Sequence, residues 1–79
     1  MAITTTHDVV DLIPVDTGLW RVCDTRFEEG RSRRIIGYLD HRGEGYEMLW
    51  MRPRPGVIRR YDTFDDAVRA VRIRLEHTA

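Results

Sequence analysis

The chain has no lysine; its thirteen cations are all arginine. Lysine codons are AT-rich, so this absence points to a GC-rich bacterial or phage genome more than to any function. A single cysteine, Cys23, excludes an internal disulfide. It falls in a strand-like run between Val22 and Asp24, which suits a small buried hydrophobe, and a neighbouring carboxylate disfavours a thiolate. Ser32 is the sole serine, and neither it nor Cys23 sits in the context of an activated nucleophile beside a base. His7, His41 and His77 are too widely spaced to suggest a metal site. Gly43 and Gly45 lack the third glycine and the strand–helix context of a phosphate loop. These absences lead us to expect a non-enzyme, with no catalytic, cofactor-binding or metal-binding residue.

Long apolar runs are missing too. No stretch reaches the roughly 20 residues that a helix needs to cross a bilayer. Residues 1–8 have neither the basic start nor the apolar core of a signal peptide. The expected setting is therefore soluble and cytoplasmic. Net charge is zero, which gives no bulk attraction to nucleic acid or to an anionic membrane.

What is present suffices for one domain. Seventy-nine residues with 42% hydrophobic and 33% charged content argue against disorder. A chain this short buries only about 60% of its unfolded surface, so its core must be fully used or shared with a partner. The C-terminal helix has the clearest signal. Thr63 is placed as its N-cap, with Asp66 three residues on at capping-box spacing, and Asp65 and Asp66 suit the positive end of the helix dipole. Phe64, Ala67, Val68, Val71 and Leu75 then form one stripe at helical period. Ile73 points away from that stripe, either as an isolated exposed residue or as a contact point for a partner.

Ahead of the helix the pattern is β. Segments 34–40, 46–52 and 57–62 read as three strands, and 19–27 as a fourth. The loop 41–45 carries two glycines, and Arg54-Pro55-Gly56-Val57 has the residues of a type II turn. Gly37, inside a strand, marks a bulge or a close backbone approach. Residues 9–15 are apolar enough for a short strand, with Pro14 favouring an edge position, and residues 1–8 are expected to be a flexible tail. The expected architecture is α+β: an antiparallel meander of three to four strands with one C-terminal helix packed on one face, spanning 9–79.

One helix covers one side of such a sheet, yet the strand 46–52 is apolar on both. Either Tyr46 and Trp50, or Leu49 and Met51, must then face something other than water. Residues 9–15 folding back, or a second subunit, would supply it. Tyr46, Trp50, Leu49, Met51 and Ile73 are accordingly the candidate protein-binding residues. Charge is also uneven, since the only charged residues between Met48 and Tyr61 are Arg52, Arg54, Arg59 and Arg60. The ten residues from Tyr61 to Ala70 resemble the sheet-to-helix junction of AP2-type and integrase arm-type DNA-binding domains. That likeness implies a three-stranded sheet lying in the major groove with a helix behind it, and it makes these four arginines candidates for phosphate or base contacts.

Two functions follow as expectations. The first is a small regulatory protein-binding domain that acts through an apolar sheet face as homodimer, adaptor or inhibitor. The alternative is a nucleic-acid-binding domain that uses the arginine-rich hairpin 52–60.

Overall fold

The computed structural model describes residues 5–7, 9–28, 30–52 and 54–76, with side chains from Val9 onward. Six strands run in chain order across one antiparallel sheet: β1 (Thr5–His7), β2 (Val10–Asp16), β3 (Leu19–Asp24), β4 (Ile35–Arg42), β5 (Gly45–Trp50) and β6 (Val57–Tyr61). Helix α1 (Phe64–Glu76) follows β6 directly and crosses one face, touching β5, β6 and β2. The α+β meander with a single C-terminal helix is as expected, but with six strands instead of three or four. Thr5–His7 pairs with Val10–Leu12, so part of the expected tail is an edge strand; residues 1–4 and 8 lie outside the described residues. Polar threonines with no period carry no strand signal, and the pairing is supplied by β2.

Residues 9–15 do not fold back over the free face of the sheet; most of them are β2, inside it. Among the described residues β1 pairs with β2 as far as Leu12, and Pro14 lies two residues beyond, on the edge-facing side of β2, where a missing N–H is tolerated. The strand expected over 19–27 ends at Asp24. There the carboxylate accepts hydrogen bonds from the Arg26 backbone N–H (2.9 Å) and from Arg26 Nε (3.0 Å) and Nη2 (2.9 Å), which turns the chain away from the sheet.

The core lies between the sheet and α1. Val10, Leu12, Val22, Leu39, Met48 and Trp50 meet Ala67, Val68, Val71 and Leu75 there, all of them buried. Ile36 joins them through a register shift between β3 and β4. The extra residue lets Ile36 and the adjoining Gly37 serve one face, as bulges do. The helix begins as its sequence predicts: Thr63 Oγ1 accepts the Asp66 N–H at 3.0 Å. Gly56, third in the Arg54–Val57 turn, has φ of 91°, the value a type II turn demands there.

Candidate functional site

Alternation along β5 divides the expected binding residues between two faces. Trp50 is 5% exposed and belongs to the core under α1. Tyr46 is half-buried on the same side. Its ring lies 5.7 Å from Phe64, 6.2 Å from Trp20 and 4.6 Å from His41, on which it stacks. The helix therefore covers the Tyr46–Trp50 side, with Tyr46 against Phe64 at the helix N-terminus and Trp50 against Arg74 near its C-terminal end. Leu49 and Met51 face away from α1, and Ile73 stands exposed on the outer surface of the helix.

Among the described residues no element lies over the face away from α1. The strand register draws one row straight across it: Ile13 opposite Arg21, Arg21 opposite Tyr38, Tyr38 opposite Leu49, Leu49 opposite Ile58. Ile58 is 60% exposed, and Ile13, Tyr38 and Leu49 are only half-buried. Met51 and Ile35 extend the apolar area at one end around a shallow hollow that Tyr38 also lines. Charged groups border the row, and most are paired within the chain. Arg34 bonds Asp11 at 3.1 Å, Arg42 bonds Asp40 at 2.6 Å, and Arg60 bonds Glu47 at 3.1 Å. Arg21, inside the row, has its Nε shielded from solvent with no acceptor.

The four arginines of the hairpin are likewise divided. Arg59 lies opposite Met48 and faces the helix side, while Arg60 lies opposite Glu47 and faces away. Arg60 is engaged there by Glu47 and by the Arg42 carbonyl at 3.1 Å. Arg52, Arg54 and Arg59 line a cleft beside α1, and Arg74 of the helix joins them. A sheet that met DNA with its helix-free face, as the junction resemblance implies, would present the apolar row with Arg60 and, at the rim of the hollow beside Met51, Arg52.

Among the described residues the chemistry-bearing side chains stay apart. Cys23 is buried, and that burial pushes its thiol pKa up against the opposing charges of Arg34 and Arg21. His41 is stacked on Tyr46, and the side chains of His7 and His77 lie outside the described residues. Among the described residues no group of three or more His, Cys, Asp or Glu is placed to hold a metal ion. Among them, too, no helix is long and apolar enough to cross a membrane. Compared with family models, curated proteins and solved structures, the chain finds no significant match in any of the three.

Proposed function

We propose that this chain is a non-enzymatic protein-binding domain of the cytoplasm, and that the partner seated on its helix-free sheet face is a second copy of itself. The carrying observation is the uncovered row Ile13–Arg21–Tyr38–Leu49–Ile58. Large apolar side chains placed contiguously on an open sheet mark interaction surfaces, and two such faces pack about 10 Å apart with their side chains interdigitated. The border charges favour a self-partner. A face of one sign would repel its own copy, whereas here each of three border carboxylates already holds an arginine of the same chain.

The test is the mass in solution of the wild type and of the double variant Leu49→Asp/Ile58→Asp, by light scattering after size exclusion. The wild type is expected as a dimer at micromolar concentration. The variant is expected as a monomer with an unchanged far-UV spectrum, because both positions are at least partly in solvent. A wild type that stays monomeric at the highest soluble concentration would sink the self-association.

A further inference from the structure

The side of the sheet that carries α1 is not wholly covered by it. Between the helix and the β5–β6 hairpin lies a cleft of about 220 Å³. Arg52, Arg54, Arg59 and Arg74 line it, and among the described residues no acidic side chain does. The Arg74 guanidinium sits over the Trp50 ring, 5.4 Å from its centroid, which fixes one cation against the cleft. Ala70, one turn before Arg74, keeps the helix side open where a longer side chain would fill it. Among the described residues Arg52, Arg54 and Arg59 make no ion pair, in contrast to the paired arginines of the opposite face.

Arg52, Arg54 and Arg59, three cations lining one small space without an ion pair among the described residues, repel one another until an anion enters. We propose that this cleft is a binding site for a compact phosphate anion of the pyrophosphate type. Planar guanidinium forks match phosphate oxygens in pairs, and several arginines suit a multiply charged group better than a lone carboxylate. Sites for drug-sized molecules usually span about 300–1,000 Å³, and this cleft is smaller, so it fits a phosphate group and not a whole nucleotide. The chain's zero net charge lacks the overall positive excess of proteins that track a nucleic-acid backbone along a basic groove.

The experiment is a titration of the full chain with inorganic pyrophosphate at low salt, read from the two tryptophan indole N–H signals by NMR. The expected result is a saturable shift of the Trp50 signal, with Trp20 little affected. Arg54→Ala/Arg59→Ala should weaken binding by roughly tenfold or more. Ala70→Leu, which leaves charge untouched and fills the space, should weaken it as well. Absence of saturation in the millimolar range overturns the site, and so does an Ala70→Leu variant that binds like the wild type, since diffuse charge alone would then hold the anion. A parallel titration with a short single-stranded oligonucleotide decides the source of the phosphate. If it binds where pyrophosphate does not, the ligand is a polymer and the compact-anion proposal fails. The Leu49→Asp/Ile58→Asp variant should bind pyrophosphate like the wild type, so failure of the dimer and failure of the cleft are read separately.

Discussion

Gly37 shows how much of this fold rests on single atoms. A Cβ built there would run into the Leu49 carbonyl oxygen and come within 2.9 Å of Met48 Cε. The backbone oxygen cannot yield without breaking the β4–β5 ladder, so the position tolerates no side chain. Gly37→Ala is expected to cost about 1–3 kcal/mol, the usual range for overpacking a core, measured as a lower urea midpoint with an unchanged slope. A change under about 0.5 kcal/mol, the level of a neutral surface substitution, would refute the close approach. Asp24 is the other decisive residue. Burial works against its charge, but hydrogen bonds from the Arg26 side chain and backbone, with the Arg26 and Arg34 charges, outweigh that and hold its pKa below the ordinary carboxylate value. A carboxyl depressed in the folded state stabilises it fully at neutral pH, and this contribution is lost as pH falls below about 4 and through the folded pKa. Asp24→Asn should therefore destabilise the protein at pH 7, on the order of 1–3 kcal/mol for a broken charged hydrogen bond. The gap to wild type should narrow in acid. An equal gap in urea melts at neutral and acidic pH would show that the carboxylate's charge is not what matters.

At the level of elements, the helix was legible because all its signals are local. The cap, the acidic first turn and the apolar stripe lie within thirteen residues of one another, and Thr63, Ala67, Val68, Val71 and Leu75 take the roles their spacing assigns. Thr63→Ala removes the Oγ1 acceptor and should lower stability by about 1 kcal/mol; an unchanged thermal midpoint would mean that the first turn is held by Phe64 packing alone. Strands β4, β5 and β6 were legible for the same reason, to within two residues at their ends. What could not be read was which elements meet. β1 has no apolar period and exists only as a partner of β2, so its composition suggests a tail. The arginine cluster was half visible. Strict alternation along β6 already puts Arg59 and Arg60 on opposite faces, a signal available in the sequence. The arrival of Arg74 and Ala70 depends on the angle at which α1 crosses the sheet, and no local pattern encodes that angle. The row from Ile13 to Ile58 is equally non-local, since it needs four strand registers at once.

Across the whole molecule, the two faces have opposite character. The face with α1 contains the hydrophobic core and, beside it, a cleft lined by arginines. The other face is apolar along its middle, and its charged border is largely neutralised within the chain. A chain of 79 residues has little core to spare, because small domains bury a low fraction of their surface. If the open row is where two copies meet, part of the stability of each copy resides in the other, and folding becomes linked to association. Anything that binds the native state and not the unfolded one raises the melting temperature in proportion to the logarithm of its concentration. The wild type should therefore melt at a temperature that rises with protein concentration, whereas Leu49→Asp/Ile58→Asp, unable to pair, should melt at one temperature throughout. Calorimetry over a hundredfold concentration range separates the two cases. Concentration-independent melting of the wild type would mean that the row is stable in water on its own, and that 79 residues fold without help from a second copy.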